Sequence, residues 1–333
     1  VQSARDGDNR AEADSSMSEI DPRGVSAEWS ARGRRLADIA RAATIAADFP
    51  LLKVLRLSVA QFARLEGAAV AYLWHTLSHA HPARAFHPAP TLISQCANEI
   101  RALPNRTPNG VLRPHRGTFL SFNLIHQALS SIFDELGLSA HLSALQVPCN
   151  VRIVDGAPDA ATEARPYAST KIHTDVWNGE PSSSVLFNIP VLGDARAVDL
   201  VFYEPRDFPA SLRRSLDDYG LGDRVAAGAV EYRTPFEPGR LYLSDALALH
   251  KTVKRAPVLR LSLDLRGIAR TLLPGESDDA RTSKAVYVAS DRWREMGTSV
   301  ILGSGEPADG FERRARGESV ADAPLSIAKI ESP

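Results

Sequence analysis

Lys171-Ile172-His173-Thr174-Asp175 runs, after Val176, into the turn-prone Trp177-Asn178-Gly179-Glu180-Pro181. The segment reads as the end of a strand leading into a loop. Residues two apart on a strand point to the same face, so His173 and Asp175 can converge on one point. An imidazole and a carboxylate make two donors, and a third is needed to close one face of a metal ion. His250 is the candidate. It ends the stretch Pro238-Gly239-Arg240-Leu241-Tyr242-Leu243-Ser244-Asp245-Ala246-Leu247-Ala248-Leu249-His250. There Pro-Gly makes a turn, a strand follows, and a loop can return the histidine to the mouth of a barrel.

The surroundings of this stretch have a strand-like period. Leu145–Val154, Ser183–Val191, Val198–Tyr203, Val230–Thr234, Arg240–Leu243 and Val258–Leu265 are short and rich in Val, Ile, Leu, Phe and Tyr. Asp155-Gly156, Gly193-Asp194 and Pro238-Gly239 separate them as turns. Pro148 shortens the first or confines it to an edge. One helix is expected among them, Pro209–Tyr219. Evenly spaced short strands predict a sandwich or jelly-roll barrel.

Upstream the pattern is helical. Leu36, Ile39, Ala40, Ala43 and Ile45 recur at helical spacing, Leu51–His79 continues the run past Pro50, and Ser121–Leu136 forms a further amphipathic helix capped by Gly137. The expected class is therefore mainly β with helical additions (α+β). Residues 1–25 are read as an unfolded leader, with Met17 as a natural start. Residues 26–141 are read as a helical region packed on the core, 142–270 as the jelly-roll core, and 271–333 as a partly irregular extension.

Two histidines and one carboxylate on one face leave three positions open on an octahedral metal, the arrangement suited to non-haem Fe(II). Zinc more often takes three protein ligands and a water, or four ligands. Ten positions after His250 stands Arg260, with Ser262 on the same strand face. A guanidinium fork matches a carboxylate, and the hydroxyl adds a donor. Such a pair suits the far carboxylate of a dicarboxylic oxo acid. Arg266 shares that face by parity and competes for the role.

The His173/Asp175 pair, the Pro-Gly turn, His250 and Arg260-x-Ser262 together resemble the Fe(II)/2-oxoglutarate-dependent dioxygenase superfamily, over roughly Val151–Gly267. The resemblance implies a double-stranded β-helix (jelly-roll) core and Fe(II), 2-oxoglutarate and O₂ as cofactor and co-substrates. It implies release of succinate and CO₂; with no peptide- or nucleic-acid-binding module legible, the expected substrate is a small-molecule biosynthetic intermediate, sugar-derived or amino-acid-derived. With Asp175 present, it implies hydroxylation or a related oxidation rather than halogenation. The helical first 140 or so residues match no branch of the superfamily. The alternatives are a cupin-like metalloenzyme that ignores 2-oxoglutarate, and a non-enzymatic jelly-roll module that binds a sugar or a partner protein.

Asn188, polar in mid-strand, either faces the co-substrate or pairs with a neighbouring strand. Trp177 is a candidate wall or lid over the substrate, against ordinary packing, and Lys171 and Tyr167 lie within reach of the same pocket. His75 and His79 can share one helix face, but no Cys or acidic ligand stands at useful spacing from them, His81 or His87. Arg32-Gly33-Arg34-Arg35 and Lys251–Arg255 are read as solvated faces. With 39 basic against 40 acidic residues the net charge is −1, so no global bias points to nucleic acid or an anionic membrane. The two cysteines, Cys96 and Cys149, form no zinc or disulfide pattern, and no stretch is long and apolar enough to span a bilayer. A cytoplasmic protein with a small-molecule substrate is the expectation, with the oligomeric state open.

Overall fold

Short alternating apolar runs become strands. In chain order they are β1 (Thr44–Ile45), β2 (Leu52–Arg56), β3 (Val111–Leu112), β4 (Leu142–Val147), β5 (Asn150–Asp155), β6 (Ser184–Gly193), β7 (Val198–Tyr203), β8 (Glu231–Thr234), β9 (Arg240–Asp245), β10 (His250–Lys254), β11 (Leu259–Ala269) and β12 (Val286–Ala289). The long helices are α1 (Ala27–Ile39), α2 (Val59–Ala80) and α3 (Phe119–Glu135). The computed structural model describes residues 27–41, 44–45, 47, 49–114, 117–207, 209–278 and 286–293, and strand residues 299–301 and 327–329. The expected unfolded leader with Met17, and most of the 271–333 extension, lie outside the described residues.

The larger sheet carries the order β9-β6-β11, with β11 flanked on its other side by β5 along its first half and by β4 along its second. The smaller sheet runs β10-β7-β8, and a bridge from His173 to His250 extends it by one residue. From β6 onward the chain passes back and forth between two antiparallel sheets: β6 in the larger, β7 and β8 in the smaller, β9 in the larger, β10 in the smaller and β11 in the larger. This is the strand order of a jelly roll, open rather than closed into a barrel. The odd residues of β11, Leu261, Leu263 and Leu265, are fully buried on one face. On that side Phe133 of α3 packs against Phe187 of β6 with tilted rings, centroids 4.7 Å apart. Each buried leucine is worth roughly 2–5 kcal/mol against alanine. The even residues of β11 turn toward the smaller sheet, and there the polar chemistry gathers.

Three expectations need correction. The helix read over Leu51–His79 begins only at Val59, because Ser58 caps it: its hydroxyl accepts from the Gln61 amide while the Gln61 side chain accepts from the Ser58 amide. Leu52–Arg56 instead pairs with β9. The run Leu145–Val154 is two strands, broken at Pro148-Cys149. The helix expected over Pro209–Tyr219 reduces to one turn, Ala210–Leu212. Beyond it the chain is held by non-helical bonds from Leu216 N–H to Trp177 O and from Tyr219 N–H to Pro166 O. Among the described residues, no helix is long and apolar enough to cross a membrane.

Candidate metal and anion site

The strand expected at Lys171–Asp175 shrinks to a single bridge residue. His173 and His250 exchange both backbone hydrogen bonds, at 3.0 and 2.9 Å. Thr174 then starts a one-turn 3₁₀ helix, Asp175–Asn178, which Gly179 ends with φ 92°. His173 and Asp175 are thus a bridge residue and the first residue of a helical turn, not two strand positions. Gly222 underlies this corner. A Cβ there would lie 1.9 Å from Ile172 O, so only glycine lets the two segments touch.

Both imidazoles are held in one tautomer. His173 Nδ1 lies 2.8 Å from Lys171 O, and His250 Nδ1 lies 2.9 Å from Ala248 O. A carbonyl only accepts, so each Nδ1 carries the proton and each Nε2 keeps a free lone pair, as a metal ligand requires. The ring centroids are 4.4 Å apart, and Tyr219 stacks on His173 at 4.6 Å with a 4° interplanar angle. Burial, and then the neighbouring His250, push the His173 pKa down to about 3. Asp175 Oδ1 accepts from Arg266 Nη2 at 2.6 Å and Nε at 3.1 Å, while Asp175 Oδ2 is buried with no hydrogen-bond partner. Burial alone would raise the Asp175 pKa, but Arg266 and His250 more than offset it and hold it low. Arg266 also contacts Glu180 at 3.4 Å, and Tyr287 donates to Glu180 at 2.6 Å.

His173, Asp175, Tyr219, His250 and Arg266 line a cavity of about 140 Å³ between the sheets, together with Arg260, Ser262, Asp264, Asn188 and Tyr167. Arg260 is 6% exposed. It donates to Val198 O at 3.2 Å and lies over Phe236 at 4.9 Å, and its Nε has no partner. Ser262 Oγ is likewise buried and unpartnered. Two strand residues sharing a face therefore present unused donors to the cavity, whereas Arg266 is ion-paired. That difference assigns the free anion-binding role to Arg260. Burial pushes the Arg260 pKa down to about 10, and among the described residues no carboxylate pairs with it.

Asn188 sits directly across from Asp264 and faces the cavity. Tyr167 lines it too, edge-on to Tyr219 at 5.5 Å. Trp177 does not: it is fully buried and its indole donates to Leu212 O at 2.7 Å, so it packs the corner rather than covering a substrate. Lys171 contributes its carbonyl to His173, and its ammonium pairs with Asp218. Sequence reasoning missed Tyr219, and it missed Arg152, which pairs with Asp264 inside the cavity. Strand parity could have found Arg152, since it lies opposite Ser262. His75 bonds Ser121 and His81 packs on Phe86, apart from this site. A larger cavity of about 670 Å³, lined by Phe62, Ile93, Leu192 and Val258 among others, contains no histidine.

Among the described residues no group of three His, Cys, Asp or Glu side chains is gathered as a formed metal cage. Arg266 holds Asp175 by Oδ1. The donor set still fits a metal in kind: two free imidazole Nε2 atoms and one orphaned carboxylate oxygen. Fold and site together define a jelly-roll protein with a His-x-Asp…His donor set beside a buried, unpaired arginine.

No family model and no curated protein matches the chain. Among solved structures it is similar to the non-heme alpha ketoglutarate dependent epimerase SnoN from nogalamycin biosynthesis, at 14% identity over 75% of this chain and 92% of that one, TM-score 0.35. It is similar to AviO1 from Streptomyces viridochromogenes Tue57, at 13% over 75% and 99%, TM-score 0.38. A third likeness is to an N-substituted L-amino acid dioxygenase from Burkholderia ambifaria AMMD, at 13% over 70% and 85%, TM-score 0.34. At such scores these likenesses add no weight to a functional reading, which rests on the cavity's own side chains.

Proposed function

We propose that the chain is an Fe(II)- and 2-oxoglutarate-dependent oxygenase acting on a small molecule. The observation that carries this is the Arg260 guanidinium with the Ser262 hydroxyl. Both are buried with donors unused, and they share one cavity with two imidazoles whose Nε2 atoms are free. His173 Nε2, His250 Nε2 and Asp175 Oδ2 would hold the iron. Bound iron supplies O₂ activation coupled to decarboxylation of the oxo acid to succinate and CO₂. Arg260 and Ser262 bind the far carboxylate and so fix which way the oxo acid points. Tyr219 and Phe202, packed against the two imidazoles, hold the rings and keep water from them. Asn188 and Tyr167 border the remaining space, where a substrate C–H bond would enter. Hydroxylation is the outcome we favour for that bond.

A second reading, a metal-free binding module, is favoured by one observation: Arg266 already neutralises Asp175. Anaerobic titration with Fe(II) and then 2-oxoglutarate separates the readings. Chelation of iron by the oxo acid produces a weak visible charge-transfer band, expected here and expected to vanish in His250→Ala. Iron binding without the band favours the cupin-like alternative, and absence of metal binding favours the binding module.

A further inference from the structure

We propose that Arg32 and Arg35 of α1 are positioning residues for the metal-ligand turn, an inference that rests on the metal site proposed above. Both lie in a run that reads as a solvated face, yet they are 1% and 5% exposed, and only Arg34 between them is exposed. Their partners are as deeply buried. Arg32 reaches Asp245 and Glu276 at 3.0 Å each, and Arg35 reaches Asp245 at 3.1 Å and Glu276 at 2.5 Å. Two cations and two anions are thus withdrawn from water together. An apolar filling would stabilise the fold as well or better, so the placement of these charges calls for a reason.

Asp245 supplies one. It is the last residue of β9 and opens the turn that ends at His250. Its Oδ1 accepts from Leu247 N–H at 2.9 Å, and its carbonyl accepts from Ala248 N–H at 3.0 Å. Within that turn Ala246 O accepts from Asp175 N–H at 3.0 Å, and Ala248 O fixes the His250 tautomer. His173 is tied in through its paired bonds to His250. Every proposed ligand is therefore hung on the turn that Asp245 caps, and the two arginines hold Asp245 by both oxygens. The same helix also holds the neighbouring strand, where Val185 of β6 pairs with Asp245. Arg32 donates to Ser182 O, just before β6, and to Glu28, which pairs with Arg213 beside the Leu212 carbonyl that holds Trp177.

The test uses the full 333-residue chain and Co(II) as the probe, read by its visible d–d absorption. Arg35→Met is expected to weaken Co(II) binding about 10–100-fold, the usual effect of losing a group that orients a ligand, and to alter the band shape. Arg35→Lys is expected to recover most of both. Leu77→Ala, in the α2 core away from the site, serves as the control for lost stability and leaves affinity and band shape at parental values. If Arg35→Met does not fold, the isosteric Asp245→Asn carries the same expectation. Parental affinity and spectrum in the variant, or equal weakening in Leu77→Ala, overturn the positioning role alone. Absence of Co(II) binding by the parent overturns the metal site and this inference with it.

Discussion

Replacing Arg260 by methionine pits the stability of the protein against its affinity for a dicarboxylate. The guanidinium is buried over Phe236, and it has one carbonyl partner and no carboxylate. Its pKa falls from 12.5 to about 10, which at about 1.4 kcal/mol per pK unit is about 3 kcal/mol of unfavourable charge in the anion-free protein. Losing the contact with the aromatic face offsets about 1 kcal/mol of that. Methionine fills the same space without a charge, so the variant without ligand should be about 2 kcal/mol more stable. That is a rise in Tm of roughly 3 °C for a chain of 333 residues. Binding moves the other way. Two charge-assisted hydrogen bonds at roughly 1.5–3 kcal/mol each put the expected loss of 2-oxoglutarate affinity at about 10²–10⁴-fold. The assay is thermal unfolding with Mn(II), with and without 2-oxoglutarate. The parent should gain about 2.7 kcal/mol at a hundredfold excess over its Kd, and the variant close to nothing. A ligand-free variant less stable than the parent, or one that keeps the parental ligand-dependent rise, would refute the assignment of Arg260 as an unsatisfied anion anchor.

Arg266→Met should leave Asp175 and Glu180 facing one another without their cation, at a cost of about 3–5 kcal/mol. Added divalent metal should restore part of it, so the metal-dependent rise in Tm is expected to exceed the parental one. A smaller rise would mean that Asp175 is no ligand. His126 is fully buried against Phe122 and Trp293, its Nε2 accepts from Cys149 N–H, and burial pushes its pKa down to about 4. The unfolded chain protonates this group at about 6.5, so its contribution is complete above pH 6.5. It is lost as pH falls toward 4, by about 3 kcal/mol in all. Urea unfolding between pH 7 and 4.5 should show this slope, and His126→Gln, whose amide oxygen can still accept from Cys149, should flatten it. An unchanged slope in the variant would place the proton elsewhere.

The strands of the core were legible because each is a short run of β-branched and aromatic residues between turn formers. Ser184–Gly193, Val198–Tyr203 and Leu259–Ala269 all fall where that chemistry puts them. Leu52–Arg56 was not legible, since Leu52, Val54 and Leu55 fit a helical stripe and an alternating strand equally. Only pairing with β9, nearly two hundred residues away in sequence, decides between them. The one-turn segment at Ala210–Leu212 misled for the opposite reason. The stretch Pro209–Tyr219 has apolar residues spaced for a helix, but the Leu212 carbonyl is taken by the Trp177 indole and the Tyr219 ring by His173.

The site obeys the same division. Parity along β11 puts Arg260, Ser262, Asp264 and Arg266 on one face, and it is right about the face. It cannot say which arginine is free, because the difference lies wholly in partners that other segments bring. Asp175 arrives from 91 residues away to neutralise Arg266, while among the described residues no carboxylate forms an ion pair with Arg260. Charge is the property hardest to place from sequence for that reason. A guanidinium in Arg32-Gly33-Arg34-Arg35 has the same composition whether it meets water or, 213 residues on, the carboxylate of Asp245. An apolar side chain reveals its burial by its own nature, whereas a charged one is buried only when its counter-charge is already there. The residues that tune a polar site are thus defined by pairs, and a pair joined across the fold leaves no local trace in either member.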